Sequence, residues 1–404
     1  MIHRHTSRAA LPALTFCLAT AIAASTGAAL ADPATHATPL ADTHGPAGVM
    51  FDHMHKAGEF MLGYRYAGTF AGGDILHGRD KADDHEIADN GCGIHTCSMK
   101  PTDMTMHMHM LDIMYAPTNW MTLMVMPMWM SHDMTMKPLD VPVHDDHMAA
   151  GMGAHSGHGG HDGPHSHGTE GWGDTVFGPE LKVADGAGYH LQLNPMFSAP
   201  SGSVDHKSNG VFTHYGMQPG SGTWDFLPSI TYTGRADRLT WGAQVLGVVR
   251  LEDMNESGYR LGDVFQATGW GSYRFANWIS ASVRALYTEQ GEIEEHYNGP
   301  HNHSSPPDVQ ANYGGRFWDI GFGINTVVPS GPLTGLRLSA EWLQPVMDDP
   351  NGLPVGARRN PVGECKQVVL AQEPLGRAPP ALPSGRRMTL NSFARCMRRP
   401  PYAA

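Results

Sequence analysis

Two stretches decide the fold: Met104-Thr105-Met106-His107-Met108-His109-Met110, and Leu239-Thr240-Trp241-Gly242-Ala243-Gln244-Val245-Leu246-Gly247-Val248-Val249-Arg250. Both alternate with a period of two. A helix would scatter such a pattern around its circumference, whereas a strand sorts it onto two opposite faces. In the second stretch Leu239, Trp241, Ala243, Val245 and Val249 face one way, and Thr240, Gln244 and Arg250 face the other. In the first, the methionines oppose Thr105, His107 and His109.

Working outward, the same alternation predicts strands over Glu59–Phe70, Asp103–Tyr115 and about Trp120–Met130, and on both sides of the turn at 184–188. Further strands are expected over Trp224–Thr233, about Leu261–Phe275, Ile279–Tyr287, Arg316–Val328 and Leu336–Leu343. Tight turns such as Ala116-Pro117-Thr118-Asn119 and Gly234-Arg235-Ala236-Asp237 take turns with long Gly-, Asp- and His-rich loops. Those loops lie at about 71–102, 131–174, 200–222 and 290–315. Short turns on one rim and long loops on the other are the rhythm of an up-and-down barrel in the bacterial outer membrane. A soluble sandwich also buries alternate residues, but has no reason to keep its long loops at one end. Trp120, Trp129, Trp224, Trp278 and Trp342 fall near strand ends, where rings suit the membrane interfaces. The expected fold is therefore all-β: an antiparallel transmembrane barrel occupying about 58–352, of about twelve strands.

Composition agrees. The formal charge of −12 makes nucleic acid an improbable partner. Mean hydropathy is −0.30, as expected where only alternate residues meet lipid. Arg4 and Arg8, the apolar run from Ala9 to Leu30 and the small residues Ala29 and Ala31 read as a cleaved signal peptide over 1–31. Residues 32–57 read as a flexible segment containing histidine. Export makes a disulfide between Cys92 and Cys97 reasonable, with a metal site beside His95 as the alternative.

On the barrel reading the methionine stripes at 104–110 and 124–130 face lipid. Polar partners in the strands then line the lumen: Arg65, His107, His109, His190, Gln192, Gln244, Arg250 and Arg284. His144, His147, His155, His158, His161, His165 and His167 crowd one glycine-rich loop, where imidazoles could converge on copper or zinc. Binding there is expected to be weak and exchangeable, and no cofactor is required. No G-x-S-x-G elbow or phosphate-cradling loop is present, so no catalytic residue is assigned and an enzyme is not expected.

Several motifs carry a resemblance. Asp52-His53-Met54-His55-Lys56, then Gly58-Glu59-Phe60-Met61 and Tyr64-Arg65-Tyr66, open the similar region. Met106–Met110, Met114-Tyr115-Ala116-Pro117-Thr118, Gly220-Ser221-Gly222-Thr223, Tyr259-Arg260-Leu261-Gly262 and Gly331-Pro332-Leu333 continue it. Over roughly 48–350 the chain resembles the proteobacterial outer-membrane family called MetA-pathway of phenol degradation, or simply transporter. The resemblance implies a barrel placed by the barrel-assembly machinery, acting as a passive channel for small solutes. Aromatic or hydrophobic compounds are suggested by the family's label alone. A copper- or zinc-binding outer-membrane protein using the His/Met-rich loop is the alternative, and an outer-membrane hydrolase the second.

The eleven strands ask for a twelfth, because an open edge in lipid leaves backbone groups unsatisfied. From about 353 the chain instead becomes rich in Pro and Arg, as in Ala357-Arg358-Arg359-Asn360-Pro361. Residues 353–404 are read as a disordered tail in which the last strand is missing or replaced, as by a frame shift.

Overall fold

The computed structural model describes residues 40–72, 74–77, 80–141, 164–331, 333–353, 355–356, 367–373 and 375–377, the last three by their backbone. The signal-peptide reading over 1–31 lies outside them, as do His144, His147, His155, His158 and His161.

The wall is one antiparallel sheet. Its strands are β1 (Glu59–Gly72), β2 (Met99–Thr118), β3 (Met121–Met126, continuing as Met128–Pro138) and β4 (His165–Trp172, continuing as Thr175–Gly186). They are followed by β5 (Tyr189–Ala199), β6 (Asp225–Ala236), β7 (Leu239–Arg250) and β8 (Val264–Ala276). Then come β9 (Ile279–Gln290), β10 (Gly315–Val327), β11 (Arg337–Pro350) and the short β12 (Gln367–Glu373). Each pairs with the next in sequence, and β1 pairs with β2 from Phe60↔Tyr115 to Gly72↔Asp103. Pro127 interrupts β3 because it cannot donate to a ladder. Most strands run 11–14 residues, close to what a tilted membrane span needs.

Outward positions carry the apolar side chains. Phe60, Leu62, Leu111, Tyr115, Leu193, Ile230, Trp241, Val245, Val283, Phe322 and Ile324 are all exposed, as are the five tryptophans expected at the rims. Their alternate neighbours point inward and are mostly polar and buried: Arg65, Asp112, Gln192, Asn194, Thr231, Gln244, Arg284 and Glu341. A polar inside and a greasy outside invert the arrangement of a soluble domain, and lipid is the solvent that suits it.

The last strand is where sequence and structure part in detail. The tail is expected to be disordered, with the last strand missing or replaced. Gln367-Val368-Val369-Leu370-Ala371-Gln372-Glu373 lacks proline and has β-branched residues, and its backbone joins the sheet. It pairs with Arg337–Leu343 of β11 and with Tyr64–Thr69 of β1, on the short-turn half of the seam. Among the described residues nothing pairs there with Gln344–Pro350, so the sheet is not closed over its full height.

A larger correction concerns the N-terminal segment, expected to be flexible up to residue 57. Residues 40–57 instead lie within the barrel. Ala41, Asp42, Ala47, Val49 and Phe51 are buried. Phe51 and Ala47 join Met61, Met110, Met114, Met124, Met126, Met196, Leu227 and Leu246 of the wall in one apolar cluster. A lumen lined with unpaired donors and acceptors is costly when dry. An extended peptide supplies carbonyls and amides to satisfy them.

The long loops also fold together. Cys92 and Cys97 are joined in a disulfide beside the helix α1 (Asp84–Asn90). Asp83 caps the helix, accepting from the Glu86 amide. The 290–315 loop closes on this unit through Asn312 Nδ2 to Gly91 O at 2.8 Å and Ser98 N to Ser304 O at 2.9 Å.

Candidate channel lumen

The lumen is built by parity along the strands. Residues 61, 63, 65 and 67 of β1 point inward, and Arg65 among them is buried. Its Nη1 donates to Ala47 O at 2.6 Å and Val49 O at 3.2 Å, and its Nη2 meets Asp112 Oδ2 at 3.4 Å. Across the barrel Arg284 holds Glu341 through two bonds of 2.8 and 3.1 Å, and Glu341 Oε2 accepts from Gly48 N at 2.7 Å. A bidentate pair of this kind sets orientation as well as charge. At the short-turn end Asp42, wholly buried, meets Arg235 at 2.9 Å, Arg274 at 3.1 Å and Thr240 at 2.9 Å.

Between these charges one carbonyl anchors the segment. Phe51 O accepts from Gln192 at 2.8 Å, Thr231 at 3.0 Å, Asn194 at 3.3 Å and Gln244 at 3.4 Å. Gln244 also donates to Met50 O at 2.6 Å. Phe51 has a φ of 56°, in the left-handed region that a non-glycine residue adopts at a cost. Donors from three strands thus hold a kinked chain in place.

Of the eight residues expected in the lumen, Arg65, Gln192, Gln244 and Arg284 are buried inward, and His190 and Arg250 share their parity. Arg250 meets Asp225 at 2.5 Å. His107 and His109 do not belong there. Leu111 and Tyr115 fix the outward parity of β2 at odd positions, and both histidines share it. Their imidazoles are tied to outward tyrosines of β1, His109 Nδ1 to Tyr64 OH at 2.7 Å and His107 Nδ1 to Tyr66 OH at 2.6 Å.

The methionine stripes are corrected in the same stroke. Met110, Met124 and Met126 are buried inside, with Met108 and Met128 packed on them, and Met99 and Met104 pack with Met134, Met136 and Met217 further up. Thioethers fill the gap between wall and segment, where irregular shapes must be matched. The signal available in sequence was Leu111-Ile113-Tyr115, which continues the His107-His109 face. The role of 40–57 had no such signal beyond its match in polarity to the lumen.

At the outer mouth the loops gather aromatic and titratable groups. Tyr215 stacks on Tyr297 at 4.3 Å, and Phe212 on Tyr297 at 4.2 Å. Burial pushes the Tyr215 phenol up to about 12, and raises Tyr259, Tyr297 and Tyr313 as well. Asp308 meets His214 Nδ1 at 2.7 Å. Burial works to raise its carboxyl, but the hydrogen bond and charge of His214, with Ser305, hold it below the ordinary value. His95, His301 and His303 stand in a row, with ring centroids 4.7 and 4.5 Å apart. Burial first, then His301 and His95, lowers His303. Of the predicted metal-binding histidines, His165 and His167 are neighbours at 4.7 Å on β4, and His167 is 6.0 Å from His214.

The family resemblance read from the sequence is found again. The model of a family described as putative MetA-pathway of phenol degradation matches residues 143–338. No curated protein matches the chain. Among solved structures, an outer membrane channel from Pseudomonas putida F1 is 12% identical, covering 81% of this chain and 98% of its own, with a TM-score of 0.49. A Pseudomonas aeruginosa FadL homologue is 8% identical, covering 78% and 88%, with a TM-score of 0.35. The P. putida toluene transporter TodX is 10% identical, covering 80% and 91%, with a TM-score of 0.34.

Proposed function

We propose that this chain, matched over 143–338 to the phenol-degradation family, is an outer-membrane channel that passes small solutes by passive diffusion. Apolar and aromatic solutes are the class it takes. The observation that carries the reading is the lumen itself. A polar, charge-paired inner wall is occupied by a piece of the chain's own N-terminal region, held mainly by hydrogen bonds and ion pairs. Such a segment can be displaced without breaking the wall. What it uncovers is a lumen of mixed polar and thioether lining.

Arg65, Gln192, Asn194, Gln244 and Arg284 are groups that water can solvate. Interleaved with them are Met110, Met114, Met124, Met126 and Met196. Sulfur contacts with aromatic rings are favourable, by about 0.3–1.5 kcal/mol each, so these thioethers suit a small aromatic solute. The family description supports the same class. Diffusion needs no energy-coupling part, and the segment 40–57 acts as the gate. The folded cap of long loops sets what reaches the outer mouth.

The test is liposome swelling with purified protein, comparing phenol-sized aromatics with sugars of similar size. The reading predicts faster entry of the aromatics, and faster entry of both when 40–57 is deleted. Equal entry of aromatics and sugars, unchanged by the deletion and no faster than into protein-free liposomes, would refute it.

A further inference from the structure

We propose that His44, Asp52 and His53 form a binding site for a divalent transition-metal ion inside the barrel, distinct from the histidine-rich loop after β3. One ligand atom from each of the three lies within 4.8 Å of the others. Asp52 is buried and the two histidines are partly so. The imidazole rings stand 3.9 Å apart, centroid to centroid.

A turn brings His44 to the adjacent pair Asp52 and His53. Gly45 N donates to Asp52 Oδ2 at 2.6 Å, closing residues 45–52 into a loop. Asn325 of β10 donates from Nδ2 to His44 O at 3.2 Å and Gly45 O at 3.0 Å, fixing one arm against the wall. The Phe51 carbonyl fixes the other arm, one residue before Asp52. Gly45 permits the approach, since a Cβ there would stand 3.2 Å from Asp52 Oδ2 and 3.4 Å from the Trp270 ring. Both arms are therefore placed by the barrel before any ion arrives.

The donor set selects the chemistry. Two imidazoles and a carboxylate suit Zn²⁺, Cu²⁺ or Ni²⁺, and suit Mg²⁺ or Ca²⁺ poorly. Ligand atoms around a tetrahedral ion with bonds of about 2.0–2.1 Å stand a little over 3 Å apart, so closing the site needs movements of roughly an ångström. Asp52 Oδ1 is 2.9 Å from His53 Nδ1, close to the spacing of two ligands on one ion, and an ion bound between them would displace the proton they share to solvent. Three protein ligands leave a position for water, so the ion would exchange. Bound there, it would tie residue 44 to residues 52–53 and staple the turn shut.

The experiment uses the full-length barrel in detergent, stripped with chelator and titrated with Zn²⁺ and, for its visible spectrum, Co²⁺. H155A/H158A/H161A serves as background, to remove binding by the histidine-rich loop. In that background H44A/H53A is expected to lose one equivalent of ion and the tetrahedral Co²⁺ band. D52N, which replaces a ligand carboxylate by a neutral amide, should weaken affinity by more than the roughly 10–100-fold that losing an outer-shell partner costs. H77A, at an exposed histidine, should change neither, and heat-modifiable gel migration reports that each barrel is folded. An unchanged stoichiometry in H44A/H53A overturns the site. The staple rests on the gating role proposed above and is read separately. If one equivalent binds but loading and stripping it leave open probability unchanged, the site stands and the staple falls.

Discussion

The hold on the N-terminal segment can be loosened without touching the segment itself. Q192L/Q244L removes the bonds from Gln192 to Phe51 O at 2.8 Å and from Gln244 to Met50 O at 2.6 Å. It also removes the long contact from Gln244 to Phe51 O at 3.4 Å, which contributes little. Two good bonds at about 1 kcal/mol each give about 2 kcal/mol. Phe51 O keeps Thr231 at 3.0 Å and Asn194 at 3.3 Å, while the part-buried Met50 O loses the Gln244 donor, which adds to that figure. The strained φ of Phe51 pushes the same way, because release relaxes it. The ratio of displaced to docked segment should rise roughly thirtyfold, at 1.4 kcal/mol per decade. Single-channel recording in planar bilayers reads this as open probability, and limited proteolysis within 40–57 reads it independently. If both stay at the wild-type level in a heat-modifiable, folded barrel, the segment is not a gate held by these bonds.

Three further outcomes are expected. E341Q leaves Arg284 buried beside a neutral amide, and breaking a buried pair costs about 3–5 kcal/mol, so the unfolding temperature in detergent should drop clearly while the gel signature of a barrel survives. Y64F/Y66F strips the hydroxyls from His109 and His107 on the outer wall; about 1 kcal/mol per lost bond is expected, and an unchanged chemical-denaturation midpoint would refute the pairing. The cap should respond to acid: His303 has its pKa lowered on folding, so the neutral ring is favoured, and the stability it adds is present above its unfolded value of about 6.5 and is lost as pH falls through the lower folded value. Protection of the 290–315 amides, taken relative to their intrinsic exchange rate at each pH, should therefore fall below about pH 6, and H303N should abolish that step. Asp308, lowered in the fold, adds a second loss only in stronger acid, as its carboxyl protonates.

The sequence was most legible where one strand face meets a uniform solvent. Leu239, Trp241, Val245 and Val249 against Thr240, Gln244 and Arg250 announced both the strand and its orientation, and all these faces are as read. It was least legible in β2, where both faces carry residues that lipid and protein can each accept. Met104–Met110 looked like the lipid side, and only the register with Tyr64 and Tyr66 turns His107 and His109 outward. In the tail, the seven residues of β12 are too short a run to stand out from the Pro- and Arg-rich sequence around them.

Alternation, turn spacing and loop length by themselves determined that this chain is a barrel with a wet interior and a long-looped rim. Those are local properties, repeated strand after strand, and each repeat argues the same way. What fills the interior was decided by the tertiary structure alone. His44 and Asp52 meet, and Phe51 O collects donors from β5, β6 and β7, only because the curvature of the sheet aims distant residues at one axis. No period in a sequence records that convergence.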